Sequence, residues 1–549
     1  MNGWRAVVGS LALLAAATVV DDIALGAPPN NVGESIYLRG ITGSGTRLEG
    51  SRESEGTSTQ GAESACVNCH QRSGLGSKEG NLLIPPITGD YLFQNRTHSG
   101  DTPVLPYVES MHGNRAPYTA ATLARAIREG VDSDGRQLSY LMPRFALNDA
   151  DMVALTEYLK SLSVHRTPGI AGGVLHLATI FTPDSDPVKR AGVLDVLQQY
   201  FKDKNTFPIG PSPRMWTSGK TAYAKSMYMA NLRWQLHVWQ LTGAASTWRA
   251  QLEQHLKEEP VFAVLSGLGG SNWVPVHEFC ERNAIPCLFP NVEVPVETGD
   301  DFYSLYFSKG VLLEAGLIAS QVAGMQQGGP VLVEQIYRRG DSGEAAAREL
   351  AAQLASHGIK VHTDAVAPDA ASHDLSAALR SNGKAQVLVL WLRPADIAGL
   401  GPPPPPETRV YISGLMGGLE ESPLPASWRA RTFLAYPFDV PERRGVRLDF
   451  ALGWFSFRRI PVVAPQVQAD TYLACSLLSE IIKQLADSYV RPYLIEQLQG
   501  MLEHRLMTGY YPHLALTYHQ RFASKGGYIA RFSANEGTHL VPDGGWIVP

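Results

Sequence analysis

Two cysteines and a histidine are spaced for covalent chemistry with a metalloporphyrin. The run Cys66-Val67-Asn68-Cys69-His70 places two thiols three residues apart on one face of a helical turn, with an imidazole beside the second thiol. In this spacing the thiols can add to the two vinyl groups of a haem while His70 binds the iron. With 5 Cys and 15 His in 549 residues, a chance match is expected in about one such sequence in a thousand. The pattern predicts one covalently bound haem c.

Thiol redox sites and half-sites for zinc share the Cys-x-x-Cys spacing. This chain has no second pair of that spacing and no thioredoxin-like βαβ pattern around the motif, so haem attachment is favoured. Three cysteines remain. Cys475 is expected to be a buried apolar residue. For Cys280 and Cys287 both a disulfide and two free thiols stay open, because a helix-to-strand geometry can prevent closure.

An iron held by His70 needs a second axial ligand, and Met142 is the predicted one. The following Pro143 cannot continue a helix and restricts its predecessor to extended conformations, which suits a loop thioether that points inward. Met152 and Met111 compete, but the first lies on an apolar helical stripe and the second has only the context of a loop. Ligation by His and Met saturates the iron, which predicts one-electron transfer and not oxygen or peroxide chemistry.

Short helices are predicted to position this site. They cover residues 33–39, 119–129 and the stretch from an Asn148 cap to residue 162. The Gly/Ser/Glu-rich segment 43–63 is predicted to be a mobile surface excursion. We therefore expect an all-α domain over residues 32–162.

This stretch resembles a class I cytochrome c domain. The likeness is carried by Cys66-Val67-Asn68-Cys69-His70, Pro85-Pro86-Ile87-Thr88-Gly89, Gly130-Val131-Asp132-Ser133-Asp134-Gly135-Arg136 and Met142-Pro143-Arg144-Phe145. In that family a proline carbonyl after the attachment site accepts the Nδ1 proton of the proximal histidine. The resemblance therefore implies that Pro85 or Pro86 supports His70.

The N-terminus predicts export. Arg5 precedes an apolar run over residues 6–20, followed by small residues at 24–27, which is typical of a secretory signal peptide over residues 1–27. An uncleaved membrane tether is the alternative, and no later stretch is long and apolar enough to cross a bilayer. The periplasm is the expected location. The net charge of −5 comes without a basic stripe, which argues against a nucleic-acid partner.

A second domain is predicted after a breaker-rich linker at residues 163–173. Beyond it, short apolar runs alternate with amphipathic helices, and the pattern restarts after Tyr303. This alternation is typical of parallel sheets, and it predicts a two-lobed α/β domain over residues 174–549. Ligands of such folds bind at the carboxyl ends of the strands, in the cleft between the lobes, where hinge closure is the natural motion.

This half resembles the type I periplasmic solute-binding proteins, in particular the branched-chain amino-acid receptors that serve ABC transporters. The likeness is distributed over Tyr303-Ser304-Leu305-Tyr306-Phe307, Gly340-Asp341-Ser342-Gly343-Glu344, Tyr411-Ile412-Ser413-Gly414 and a C-terminal hairpin near residues 516–532. In that family two strand-end loops bind the ligand carboxylate through hydroxyls and backbone amides.

The resemblance implies ligand-binding residues in the turn 266–273. Gly270 and Ser271 offer amides and a hydroxyl, and Trp273 offers a ring for stacking, although an ordinary strand-to-helix turn is an equal alternative. The second loop carries Glu293, whose charge would repel a carboxylate. The sequence thus argues against an amino-acid ligand and leaves another ligand, or a docking surface, open.

Together these patterns predict a periplasmic monohaem electron carrier whose receptor-like domain binds a ligand or docks a redox partner, either a dehydrogenase or another cytochrome. The alternative is a solute receptor for an ABC transporter that carries an accessory haem domain. We assign no catalytic residues and favour a carrier over an enzyme, because no nucleophile–base pair stands out and a lone His such as His277 is more often structural. The run 402–406, five prolines, is predicted to be a stiff surface loop rather than a polyproline recognition site.

Overall fold

The structure is a computed structural model that describes residues 31–52, 57–79, 82–94, 115–162, 167–206, 232–325, 331–370, 375, 379, 385–485, 488–517, 520–533 and 539–549. These residues form two compact units. The first contains described residues of 31–74, 86–94 and 115–162, and the second contains those of 75–85 and 167–549. The predicted signal peptide and Met111 lie outside the described residues. Within that part of the chain, no helix is long and apolar enough to span a membrane.

The predicted helices of the first unit are confirmed, with bounds set by local capping. Asn31 and Asn148 accept a hydrogen bond from the third backbone N–H of their helices, and Thr119 forms a capping box. Gly130 ends its helix in the left-handed region, at φ +72°. The helices of this unit are Val32–Arg39, Val67–His70, Gly89–Phe93, Ala120–Glu129 and Asp149–Ser161.

The first and last of these helices cross at close range. A Cβ added at Gly33 would lie 2.1 Å from the carbonyl oxygen of Ala154, so only glycine permits this approach. Next to the crossing, the rings of Tyr37 and Tyr158 lie 5.2 Å apart. This packing joins the two ends of the unit around the segment that carries the cysteines.

A small sheet corrects the prediction of an all-α first domain. Strands Thr57–Gln60, Glu49–Arg52 and Arg144–Phe145 pair antiparallel in that order, and Gly61–Ser64 forms a 3-10 turn. The predicted mobile excursion over residues 43–63 therefore contains two paired strands. These strands were not predicted because the polar run 57–60 lacks the alternation of a half-buried strand and its sheet is completed by residues far along the chain.

The first lobe of the second unit is built on a mostly parallel sheet. Strand order is Ser304–Leu305, Cys287–Leu288, Ala263–Leu265, Val174–Phe181 and Ile170–Ala171, with Arg233–Gln240 also paired to Val174–Phe181. Ile170–Ala171 runs antiparallel to the next strand through Gly172 and Gly173, both at positive φ. The sheet thus begins inside the predicted linker. Helices of this lobe are Pro187–Thr206, Trp248–Glu258 and Val274–Arg282.

The second lobe contains a seven-stranded sheet. Its order is Val361–Val366, Val333–Arg338, Val387–Trp391, Arg409–Ser413, Thr432–Tyr436, Tyr528–Phe532 and Leu540–Pro542. The first five strands are parallel and the last two antiparallel. Helices Val311–Met325, Ser342–Ser356, Pro394–Ala398, Gly414–Gly417 and Ala426–Arg429 accompany it. Its core centres on buried residues such as Trp391 and Tyr411, so the predicted pair of α/β lobes is confirmed.

Three further helices follow the fifth strand of the second sheet. They are Pro441–Arg458, Pro465–Gln484 and Arg491–Glu503. The middle one packs against Pro187–Thr206 of the first lobe. Its Thr471 hydroxyl lies 3.0 Å from the Ser266 hydroxyl, so the chain returns to the first lobe before Tyr528–Phe532 joins the second sheet. A short hairpin, Ser77–Glu79 with Leu82–Ile84, also groups with the second unit.

Candidate haem site and interlobe cleft

The predicted attachment motif forms a single helical turn. Cys66 has helical backbone angles, and its carbonyl oxygen accepts the N–H groups of Cys69 at 3.2 Å and His70 at 2.9 Å. Neither cysteine forms a disulfide, both are half-buried, and His70 is 9% exposed. Burial raises the pKa of the Cys66 thiol to about 12. Two thiols and an imidazole are therefore presented from one turn.

Side chains from the neighbouring segments anchor this turn at both ends. The Tyr37 hydroxyl donates to the carbonyl oxygen of Gln71 at 2.6 Å, and the Asn68 amide donates to the carbonyl oxygen of Ala62 at 2.7 Å. Gln71 itself lies at φ +62°, outside the helical region. These contacts fix the direction in which Cys66 and Cys69 leave the backbone.

Met142 lies half-buried in a loop that two contacts hold. Its N–H donates to the carbonyl oxygen of Ser139 at 3.1 Å, and its own carbonyl oxygen accepts the Arg144 guanidinium at 2.6 Å. A Cβ added at Gly130 would lie 1.9 Å from Arg144 Cζ, so the glycine leaves the space that the guanidinium fills. The strand Arg144–Phe145 pairs with Gly50 and its neighbour. Sequence reasoning missed the part that Arg144 plays.

The other residues predicted around the haem differ in exposure and in the unit to which they belong. Pro85 is exposed and groups with the second unit, whereas Pro86 is buried and belongs to the first. Support of His70 by either proline stays a prediction. Met152 is 4% exposed on the helix Asp149–Ser161, within the core as expected.

The residues of the first unit fit a haem c. This group requires two cysteines with the attachment spacing that are not in a disulfide, a buried imidazole and a thioether on a loop held by hydrogen bonds, and the unit supplies all of them. Cys66 and Cys69 would hold the porphyrin, and His70 and Met142 the iron.

The second unit contains a cavity of about 850 Å³ at the carboxyl ends of strands from both sheets. From the first lobe it is lined by segments that follow the strands Val174–Phe181, Ala263–Leu265 and Cys287–Leu288. From the second lobe it is lined by segments after Val387–Trp391, Arg409–Ser413 and Thr432–Tyr436. This is the cleft position that the parallel sheets predict.

The glycine-rich turn meets a carboxylate of its own chain. Asp184 Oδ2 accepts the N–H of Ser271 at 2.9 Å, and the Thr182 hydroxyl accepts the N–H of Gly270 at 3.0 Å. A Cβ at Gly270 would lie 2.1 Å from Asp184 Oδ2. Gly270 lines the cavity, whereas Trp273 is 1% exposed and packs in the core of the first lobe. The indole is therefore unavailable for the predicted stacking, because it fills the space beneath the turn.

Glu293 is paired, which corrects the expectation that its charge faces a ligand. Its two oxygens accept bidentate hydrogen bonds from Arg393 at 2.7 and 2.6 Å, and the Ser342 hydroxyl donates to it at 2.7 Å. Burial alone would raise the pKa of Glu293, but the hydrogen bonds and charge of Arg393 hold it below its usual value. Arg393 also donates to Asp341 at 2.9 Å. The ion pair joins a loop of the first sheet to loops of the second.

Aromatic rings form one side of the cleft. The Phe307 ring lies 5.4 Å from that of Tyr511, and the Phe438 ring lies 5.4 Å from Tyr510 and 5.5 Å from Tyr511. The Arg444 guanidinium stands 4.2 Å above the Tyr510 ring and bonds the Glu420 carboxylate. Such rings offer an apolar surface and a face that attracts cations.

Asp470 is the most buried acid of the lining, at 2% exposure. Its Oδ2 accepts the Tyr511 hydroxyl at 2.8 Å and the Gln466 amide at 2.6 Å. Its Oδ1 is buried without a hydrogen-bond partner among the described residues. Burial raises the pKa of Asp470 to about 7, against the lowering effect of these two donors. An acid within the helix Pro465–Gln484 had no recognisable sequence signal, whereas Asp184 and Arg393 could have been found from their strand-end positions.

His277 has a structural role within the described part of the first lobe. Its ring nitrogens lie 3.0 Å from the Tyr306 hydroxyl and 3.0 Å from Asp301 Oδ1. Glu281 stands nearby, but its oxygens accept backbone N–H groups at positions 302, 303 and 304. These atoms are already engaged with the protein, so the group does not suggest a metal site.

The three cysteines outside the motif are buried free thiols. Burial and the neighbouring Cys287 raise the pKa of Cys280 well above its usual value, and burial alone raises that of Cys475. The proline run 402–406 lies on the surface, where the carbonyl oxygen of Pro404 accepts Arg431 at 2.5 Å.

Comparisons with known proteins agree with this division. The sequence model of the cytochrome c family matches residues 59–163. A branched-chain amino-acid ABC transporter protein from Thermus thermophilus with bound valine is 11% identical, with a TM-score of 0.50, over 68% of this chain and 97% of that one. A fatty-acid ABC transporter substrate-binding protein from Thermomonospora curvata (14% identity, TM-score 0.48, 70% and 95% covered) and a leucine-binding protein from Thermotoga maritima (12%, 0.48, 68% and 99%) are also similar. No curated protein sequence matches the chain. Residues 59–163 therefore form a cytochrome c domain, and most of the remaining chain has the fold of type I periplasmic binding proteins.

Proposed function

We propose that this protein is an exported cytochrome c with one covalent haem that carries single electrons to or from a periplasmic dehydrogenase or another cytochrome. The observation that carries the proposal is the turn of Cys66, Cys69 and His70, with two cysteines outside any disulfide and a buried imidazole, inside the region matched by the cytochrome c family. A bound haem supplies reversible one-electron redox chemistry.

The residues of the chain define how such a carrier works. Cys66 and Cys69 retain the haem covalently, so it is not lost in the periplasm. His70 and Met142 together leave no iron position open to a substrate, which separates electron transfer from catalysis. The Arg144 guanidinium, by holding the Met142 carbonyl at 2.6 Å, keeps the thioether loop in place.

The second unit contains a cleft that can serve as a binding site. Its cavity of about 850 Å³ lies between two lobes, a size that suits a small organic molecule. The paired Glu293 and Arg393 come from loops of different lobes, so ligand binding and lobe closure act on the same contacts. We propose that this unit binds a small ligand or docks the redox partner.

Production of the full chain in a host that assembles c-type cytochromes tests the haem assignment. The wild-type protein should carry a pigment that resists acid-acetone extraction and is reduced by one electron. A Cys66→Ala/Cys69→Ala double variant should lose the resistant pigment, because no thioether bond can form, whereas Cys475→Ala, which alters a buried thiol outside the motif, should keep it. A wild-type protein without the pigment would contradict the proposal, and carbon monoxide binding to the reduced protein at neutral pH would contradict a saturated iron.

The alternative is a solute receptor for an ABC transporter that carries an accessory haem domain. The fold shared with the Thermus thermophilus protein and the cleft between the lobes favour it. A solute that binds the second unit tightly and changes the haem reduction potential would support this alternative. Reduction by a periplasmic dehydrogenase without any solute would favour the electron carrier.

A further inference from the structure

We infer that the interlobe cleft binds an organic cation, with the charged nitrogen against the Asp470 carboxylate and the apolar part on the neighbouring aromatic rings. This inference rests on the proposed ligand-binding role of the second unit and names the chemical class of its ligand.

The charge of the cleft favours a cation. Its lining contains six acids and three basic side chains: Asp184, Asp186, Glu293, Glu420, Glu421 and Asp470 against Lys189, Arg393 and Arg444. Arg393 bonds Glu293 and Asp341, and Arg444 bonds Glu420. The two arginines are thus committed to acids of the protein, and the remaining carboxylates leave the lining negative. Such a cleft attracts cations and repels anions.

The backbone N–H groups of the glycine-rich turn, which would bind an anion, already donate to acceptors of the protein. The N–H groups of Leu268, Gly269, Gly270 and Ser271 donate to Ile180 O, Asn291 O, Thr182 Oγ1 and Asp184 Oδ2, at 2.9, 3.2, 3.0 and 2.9 Å. A carboxylate ligand at this turn would have to displace Asp184 and would meet its charge. The glycine-rich turn therefore supports a carboxylate of the protein and not that of a ligand.

Asp470 supplies the specific counter-ion. Asp470 lines the cavity, and its Oδ1 is buried without a hydrogen-bond partner among the described residues, while Oδ2 accepts hydrogen bonds from Tyr511 and Gln466. Leaving a buried carboxylate oxygen unpaired costs free energy, which a ligand N–H or cationic group recovers. The raised pKa, about 7, is consistent with a group that lacks a cation beside it.

The aromatic side of the cleft adjoins this acid. Tyr511 donates its hydroxyl to Asp470, its ring stacks with Phe307 and lies tilted against Phe438, and Phe438 contacts Tyr510. A cation held at Asp470 therefore lies near ring faces that attract positive charge. The apolar part of the ligand then packs on the larger aromatic surface formed by these rings.

A charge series built on one aromatic body tests the inference on the full-length, haem-loaded protein. The probes are 2-phenylethylamine as the cation, 2-phenylethanol as the neutral form and phenylacetate as the anion, measured by isothermal titration calorimetry. We expect the amine to bind at least about tenfold more tightly than the other two. Because the cation needs the ionised acid, its affinity should rise as the pH increases from about 6 to about 8.

Two matched variants identify the acid. Asp470→Asn should weaken amine binding by about tenfold or more and remove its pH dependence, with little effect on 2-phenylethanol. Glu314→Gln replaces another buried acid with a raised pKa that does not line the cavity, and it should leave amine binding unchanged. The wild-type charge series and its pH profile remain decisive if Asp470→Asn fails to fold.

Equal or tighter binding of phenylacetate or 2-phenylethanol, unchanged amine affinity in a folded Asp470→Asn variant, or no binding of any probe at millimolar concentration would each overturn the inference. Haem attachment and one-electron reduction are measured without any of these probes. A negative result here therefore leaves the electron-carrier proposal intact, and a protein without pigment would refute that proposal separately.

Discussion

Replacement of Gly130 by alanine tests whether Arg144 holds the Met142 loop. Gly130 lies at φ +72°, and its new Cβ would fall 1.9 Å from Arg144 Cζ. An L-residue in this left-handed conformation costs about 1–2 kcal/mol. The methyl group also displaces the guanidinium, which loses its charge-assisted hydrogen bond to the Met142 carbonyl, worth about 1.5–3 kcal/mol. The two effects together predict a loss of about 2.5–5 kcal/mol.

Gly135 provides a matched control. It lies at φ +85°, in the same unit, and a Cβ there would meet nothing within 4 Å. Gly135→Ala should therefore show only the conformational cost of about 1–2 kcal/mol. Arg144→Ala should show only the loss of the hydrogen bond, because this substitution adds no backbone strain.

The assay is denaturant unfolding of the haem-loaded protein, followed by haem absorbance so that the first unit alone is monitored. Loss of the methionine-to-iron band at lower denaturant reports release of Met142, and a lowered reduction potential should accompany it. Equal effects of Gly130→Ala and Gly135→Ala, or no effect of Arg144→Ala on the methionine band, would refute the role assigned to Arg144.

Three further predictions concern packing and charge. Glu314 is fully buried, and burial raises its pKa to about 8. Because the folded protein keeps a proton that the unfolded chain releases, the stability of the wild-type protein should fall as the pH rises from about 4.5 to about 8. Urea unfolding of Glu314→Gln should show less of this fall. A double-mutant cycle on Glu293→Gln and Arg393→Met should give a coupling energy of about 0.5–3 kcal/mol in unfolding, whereas additive effects would argue against the bidentate pair. Gly33→Ala should destabilise the first unit by about 1–3 kcal/mol by pushing apart the helices at Ala154, while Gly445→Ala, in open helical space, should be neutral or stabilising in thermal unfolding.

The attachment motif and most helices could be predicted because they depend on neighbours in the sequence. Cys66, Cys69 and His70 come together within one turn, whose geometry follows from local hydrogen bonds. Caps such as Asn148 and stops such as Gly130 act within four residues of the helix ends. Strand Val174–Phe181 and helix Val311–Met325 each coincide with a mostly apolar segment of the sequence. The order of these elements was enough to predict two α/β lobes.

What surrounds the sites was decided only by tertiary structure. The polar strand Thr57–Gln60 belongs to a sheet completed by Arg144–Phe145, and Glu293 pairs with Arg393, which lies 100 positions further along the chain. Asp184 accepts the Ser271 N–H of a turn that was predicted to bind a ligand, and Trp273 packs in the core of the first lobe. Periodicity and spacing describe neighbours along the chain. The free energy of a buried charge or an occupied amide depends on groups that only the folded chain brings within hydrogen-bond distance.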